Sequence, residues 1–243
     1  MKPETEIAME LHEKFGEGVL PITPFPKPYR KDISKIKAIY LGCDPSNSHS
    51  HTLPYVFALE SGFPIFKKFL KDHESNLNQV GLSWETVYVQ NLCQNYFKKE
   101  TADNWKLWKE VAKWWIPILK DELKQFDSSI PVMLTSAYLY KVLKNGDKFK
   151  PMDYYECTQP IPVPAEESKL ERPLIPFYRN RRKVNYHLTN PKWIAYKERI
   201  QNIESGEIPD DSDSCPCYIC IWNCKIDEKK VNGKMDLFSN SKS

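Results

Sequence analysis

The chain has no run of 18 consecutive apolar residues, so no membrane-spanning segment is expected. Its first residues, MKPETEIAMELHEKF, are charged and carry no apolar core, so no secretory signal is expected either. There is no low-complexity tract, and no Gly-rich phosphate loop of the kind that marks many nucleotide-handling α/β proteins. Formal net charge is only +3 over 243 residues, which by itself selects no class of partner. Seven cysteines without a signal segment read as reduced thiols of a cytoplasmic protein.

What is present is a globular composition. Apolar residues make up 41% of the chain, enough to bury a sizeable core in one large domain or two small ones. Charge is unevenly spread: residues 179–199 hold seven basic side chains against Glu198, and residues 204–213 hold five acids and no base. That contrast suggests a polyanionic partner, with a solvated surface as the alternative.

Ile7, Leu11 and Phe15 repeat at helical spacing up to Gly16, and a lead-in rich in proline follows. Four short apolar runs read as strands: residues 38–41, 86–90, 132–135 and 184–186. Helices are expected between them at 63–71, 104–126 and 137–144, and after them at 193–203. Trp105, Trp108, Ala112 and Trp115 form one stripe of the long helix, a core-packing pattern, and Pro117 is expected to kink or split it. Residues 150–178, rich in proline, read as a connection. Strands alternating with helices predict one α/β domain with a parallel sheet layered on both faces. The boundaries expected are a lead-in over 1–36, the α/β domain over 37–204, and an acidic, Cys-rich tail over 205–243.

Each strand runs into a polar side chain: Asp44, Asn91, Thr135-Ser136 and His187. In a parallel sheet these ends share one edge, where α/β proteins build their sites. Asp44 is either a turn residue or a working carboxylate, because an unpaired carboxylate is costly to bury. Phe57, in an apolar run, reads either as core or as a stacking surface.

In order and spacing the chain resembles the uracil-DNA glycosylase superfamily, closest to its uracil-excising branch. The resemblance rests on Gly42-Cys43-Asp44-Pro45 after a strand, on Phe57 in Tyr55-Val56-Phe57-Ala58-Leu59, and on Asn91 closing Val87-Tyr88-Val89-Gln90. It is completed by His187 ahead of Leu188-Thr189-Asn190-Pro191. It covers roughly residues 36–200 and implies a three-layer α/β/α fold with a central four-stranded parallel sheet.

The resemblance also implies a chemistry. Asp44 would position water and offset positive charge on the sugar, as carboxylates do in glycoside hydrolysis. His187 would donate a hydrogen bond to the departing base. Phe57 would stack on that base, Asn91 would match the N3–H and O4 of uracil, and Cys43 and Ser46 would border it. Thr189, Arg181, Arg182 and Lys183 would contact phosphates. No cofactor is required for this chemistry; the expected partner is DNA, single- or double-stranded, with no membrane contact, and the protein is expected to be a monomer.

The chain departs from that branch in carrying Ser46-Asn47 where the branch has Tyr-His. Exclusion of thymine is then relaxed or supplied elsewhere, Tyr55 being one candidate. The alternative function is a protein of the same fold that binds single-stranded or damaged nucleic acid without cleaving it. Cys215, Cys217, Cys220 and Cys224 crowd into ten residues and are candidate zinc ligands, a reduced tail being the other reading.

Overall fold

The computed structural model describes residues 2–45, 52–146, 148–155 and 161–177. A helix, α1 (Glu4–Phe15), starts the chain with Glu4 and Glu6 in its first turn and His12 and Lys14 in its last, the favourable arrangement for a helix dipole. It buries Ile7, Ala8 and Leu11 and leads into a two-residue strand, β1 (Val19–Leu20). The first long strand, β2 (Ala38–Gly42), is buried throughout. A 3-10 turn at Val56–Ala58 precedes α2 (Pro64–Asn78), which has Pro64 in its first turn, where the missing N–H costs nothing.

Strand β3 (Val87–Asn91) is also fully buried, and β4 (Tyr96–Phe97) pairs antiparallel with β1. The long helix α3 (Trp105–Glu122) follows, then β5 (Val132–Leu134), α4 (Ala137–Leu143), α5 (Pro151–Tyr155) and β6 (Leu174–Pro176).

Strands β3, β2, β5 and β6 form one all-parallel sheet in that order. Such strands are buried on both faces, which explains runs such as AIYLG and VML without polar alternation. The register places Ile39 beside Tyr88 and Gly42 beside Asn91. Tyr40 meets His73 of α2, while Tyr88 donates its hydroxyl proton to Glu122 of α3. Tyr40 and Tyr88 lie on opposite faces in this register, so α2 and α3 cover opposite faces of the sheet.

Three expectations are corrected. Pro117 does not split α3, which runs unbroken from Trp105 to Glu122. The helix is held around the proline by buried Trp115, Ile116 and Leu119, and the Trp115 indole N–H donates to Asn95 Oδ1 at 2.7 Å. Helix α2 extends seven residues past Lys71, because His73, Asn76 and Leu77 continue its buried stripe with two polar side chains. The fourth strand is Leu174–Pro176, inside the proline-rich stretch read as a connection. The segments expected as a strand at 184–186 and a helix at 193–203 lie outside the described residues.

The edge strand is tied to the long helix by Arg172, which is buried. Its guanidinium donates to the carbonyls of Leu123 at 2.7 Å, Phe126 at 2.6 Å and Asp127 just past the end of α3, adding to the N–H donors that Leu123 and Asp127 have from Phe126 and Ile130. Residues of the N-terminal lead-in, among them Leu11, Val19, Phe25 and Tyr29, belong to the same core as the sheet. Among the described residues, no helix is long and apolar enough to cross a membrane.

Candidate functional site

Strands β2 and β5 are neighbours whose onward connections leave to opposite sides, one toward β3 and the other toward β6. A crevice forms outside the carboxyl ends of strands at such a point. Here it is a cavity of about 500 Å³. Gly42, Cys43, Asp44, Asn91, Thr135 and Ser136 border it from three strand ends, Phe57 from the 3-10 turn, and Phe66, Phe69 and His73 from α2.

Gly42 is required by its surroundings. A β-carbon there would lie 2.3 Å from Asn91 Oδ1 and 2.7 Å from two ring atoms of Phe57. Parallel pairing sets Gly42 beside Asn91, and the absent side chain lets the Phe57 ring close over both. Asn91 is only 3% exposed, yet its carboxamide makes no side-chain hydrogen bond among the described residues. Its carboxamide borders the cavity, where a ligand can reach it.

Phe57 is held in the left-handed region, at φ 58° and ψ 17°, and Ala58 and Glu60 also have positive φ. For non-glycine residues this costs roughly 1–3 kcal/mol each and recurs at ligand sites. The strain is sustained by the lead-in: Lys27 N–H donates to the Pro54 carbonyl at 3.1 Å, and Val56 N–H donates to the Lys27 carbonyl at 3.0 Å. The ring packs on Tyr40 and His73 at 5.3 Å between centroids and stacks toward Phe69 at 6.2 Å. Behind it, the Tyr40 hydroxyl lies 2.6 Å from His73 Nδ1.

Asp44 is half-buried, and the Thr101 hydroxyl donates to its Oδ2. Thr101 sits in a turn fixed at both ends. Lys98 N–H donates to the Gly18 carbonyl at 3.0 Å, and Asn104 N–H donates to the Thr101 carbonyl at 3.3 Å just before α3. Next to Asp44, Cys93 is fully buried. Burial pushes its thiol well above the ordinary range, and the charges of Asp44 and Cys43 add to that shift.

The structure thus brings together Cys43, Asp44, Phe57 and Asn91 from the sequence-based set. Thr135 and Ser136 also border the cavity but have structural partners: Thr135 Oγ1 donates to the Leu41 carbonyl at 2.8 Å, and Ser136 caps α4 by accepting from Tyr138 N–H at 3.3 Å. Ser46, Arg181, Arg182, Lys183, His187, Thr189 and the four tail cysteines lie outside the described residues.

Sequence reasoning did not find Thr101 or His73. Thr101 reaches Asp44 across 57 positions, with no local pattern to mark it, and His73 is hidden in a stretch that reads as polar helix surface. Among the described residues no cluster of three metal-ligating side chains occurs. No protein-family model matches the chain, and no curated protein matches it.

Proposed function

We propose that the cleft receives a nucleobase extruded from a DNA strand and that the protein hydrolyses its N-glycosidic bond. The fold proposed with this is of the uracil-DNA glycosylase kind, and the substrate is uracil or a related damaged base. One observation carries the reading. The Asn91 carboxamide stands beside the Phe57 ring over Gly42, and both border the same cavity as Asp44.

The roles follow from the chemistry of the bond. As it breaks, positive charge grows on the sugar and the bonding pair leaves with the base. The Asp44 carboxylate offsets the sugar's charge and orients the attacking water, while Thr101 fixes the carboxylate by donating to Oδ2. Phe57 presents a face for the base, a contact typically worth about 1–3 kcal/mol. Asn91 offers one acceptor and two donor hydrogens, enough to pair with N3–H and O4 of uracil and to mismatch cytosine. Cys43 borders the base, as would Ser46.

The resemblance alone supplies the remaining roles: His187 as donor to the base, and Thr189, Arg181, Arg182 and Lys183 as phosphate contacts. None of these steps uses a metal; a zinc ion on Cys215, Cys217, Cys220 and Cys224 would be structural.

A second reading keeps the cleft and removes the chemistry: the protein holds a damaged or single-stranded nucleic acid without cleaving it. Ser46-Asn47, standing where the resembled branch carries Tyr-His, favours it. One assay separates the two. Oligonucleotides bearing a single uracil, single-stranded and paired, are incubated with the protein and treated with alkali. Strand breaks at the uracil support the glycosylase; unbroken strands that nevertheless bind the protein overturn it in favour of the second reading.

A further inference from the structure

A second cavity, of about 780 Å³, lies at the other end of α4 from the cleft. Ser136 and Tyr138 at the start of that helix border the first cavity, and Lys144 just past its end borders the second. No residue borders both. The seven residues of α4 set them roughly 10 Å apart along the helix. None of the roles proposed above uses the second cavity.

Its walls are braced by backbone hydrogen bonds. Asn145 N–H donates to the Glu167 carbonyl at 2.7 Å and Lys169 N–H to the Leu143 carbonyl at 2.8 Å, which ties the end of α4 to the 3-10 turn at Ala165–Glu167. Val163 and Leu174 exchange both backbone hydrogen bonds at 2.9 Å, which holds the wall over 162–164 against β6. Tyr154 is buried and stacks on Tyr140 of α4, 4.9 Å between centroids and 8° from parallel. A cavity shaped before anything enters it lowers the ordering cost of binding.

Three chemistries meet there. Lys144, Lys148 and Lys150 supply positive charge. Lys144 is held by the Glu167 carboxylate at 2.5 Å and by the Phe149 ring, whose centroid lies 5.3 Å from the ammonium. Burial alone would lower the pKa of this ammonium; Glu167 and Tyr154 outweigh burial and raise it, so Lys144 stays a cation. Lys148 and Lys150 are exposed, and among the described residues neither is in an ion pair. Phe149, Pro162 and Val163 supply an apolar surface, and Asp153 and Glu167 supply carboxylates. Glu167 meets Lys144 through Oε2, which leaves Oε1 to accept from a ligand.

A ligand that answers all three has a negative end, a flat apolar body and hydroxyl groups to donate. Inorganic phosphate meets the lysines alone, and an uncharged ring meets the apolar surface alone. A nucleoside monophosphate carries every part. Lysine side chains bind phosphate as point charges, so the lack of a Gly-rich backbone cradle in this chain does not bear on such a site.

We propose that this cavity binds a free nucleoside monophosphate, separately from the base cleft. The phosphate lies among the three lysines, the base against Phe149, and the ribose hydroxyls on Asp153 and Glu167. The proposal goes beyond the function proposed above and holds whether or not the protein cleaves a base.

The test uses the full chain and adenosine monophosphate, titrated by calorimetry beside inorganic phosphate and adenosine. The nucleotide is expected to bind about tenfold tighter, or more, than either part. Lys148→Ser with Lys150→Ser is expected to weaken it by about tenfold or more, the low end for hydrogen bonds to a charged group. Lys67→Ser with Lys68→Ser, two exposed lysines of α2, is expected to leave it unchanged. The unmutated protein gives an independent readout by nuclear magnetic resonance. The nucleotide is expected to shift the methyl signals of Val163 and not that of Ala58, which borders the base cleft.

No binding of the nucleotide, either part binding as tightly as the whole, equal effects of the two lysine pairs, or a shift at Ala58 in place of Val163 would overturn the site. A protein that binds the nucleotide as described but releases no uracil overturns the proposed function and leaves this site standing. One that releases uracil but ignores the nucleotide does the opposite.

Discussion

The Asn91 carboxamide and the Phe57 ring meet over the bare α-carbon of Gly42, where a β-carbon would lie 2.3 Å from the one and 2.7 Å from the other. Neither neighbour can give way easily. Asn91 is fixed by strand pairing, and Phe57 by a strained turn packed on Tyr40 and His73.

Gly42→Ala is therefore expected to lose stability by about 1–3 kcal/mol, the usual cost of overpacking. It is also expected to lose base binding, because the ring or the carboxamide must move. Chemical denaturation and binding of free uracil, followed by nuclear magnetic resonance, check the two effects together. An alanine variant with unchanged stability and unchanged binding would show that the three residues do not form one site.

Thr101 acts on Asp44 through a single hydroxyl. A donor to a carboxylate favours its charged form, so removing it raises the carboxyl's pKa. Thr101→Val is expected to cut base release about tenfold to a hundredfold, in line with the roughly 1.5–3 kcal/mol typical of hydrogen bonds to charged groups. The acid limb of the pH–rate profile is expected to move to higher pH, and Thr101→Ser to restore much of both. A valine variant with an unmoved acid limb would reduce Thr101 to a packing residue.

Arg172 closes the end of α3 through backbone carbonyls alone. Arg172→Met keeps most of its bulk; the Leu123 and Asp127 carbonyls keep the N–H groups of Phe126 and Ile130 as donors, and the Phe126 carbonyl loses the guanidinium. A loss of about 1–3 kcal/mol is expected, from the cost of an unsatisfied buried polar group. Thermal unfolding measures it. A shift in Tm of less than a degree would mean that water replaces the guanidinium at no cost.

The burial that raises Cys93 also acts on Tyr88, whose hydroxyl is pushed up by burial first and by the Glu122 carboxylate second. Both groups keep their protons in the folded chain and release them more readily when unfolded. Above about pH 8.5 the unfolded chain therefore binds fewer protons than the folded one, and stability falls as pH rises. A melting series from about pH 7 to about pH 10 is expected to show a falling Tm, with Cys93→Ala less steep. A flat series would contradict the burial of both groups.

How far the sequence carries this account differs by element. The strands β2, β3 and β5 are short β-branched and aromatic runs bounded by turn residues, and they were legible to within a residue or two at each end. The edge strand β6 was not, because Pro173 and Pro176 bracket it and proline ordinarily argues against a ladder. An edge position accepts proline, since one side of the strand needs no donors. Pro117 misled for the opposite reason: local propensity predicts a break, and tertiary packing of the tryptophan stripe overrides it. At the site, Asp44, Phe57 and Asn91 were legible because each sits at or next to a strand end or in a marked run. Thr101 was not, because its partner lies across the fold.

The central claim is that Asp44 turns a base-binding cleft into a hydrolytic one. The most direct measurement is single-turnover release of free uracil from a single-stranded oligonucleotide, detected by mass spectrometry, with wild-type protein and Asp44→Asn side by side. Asn keeps the shape and removes the charge. The account predicts release by the wild type, at least a hundredfold slower release by the variant, and similar strand affinity in both. No release by the wild type, or equal rates in the two proteins, would contradict it.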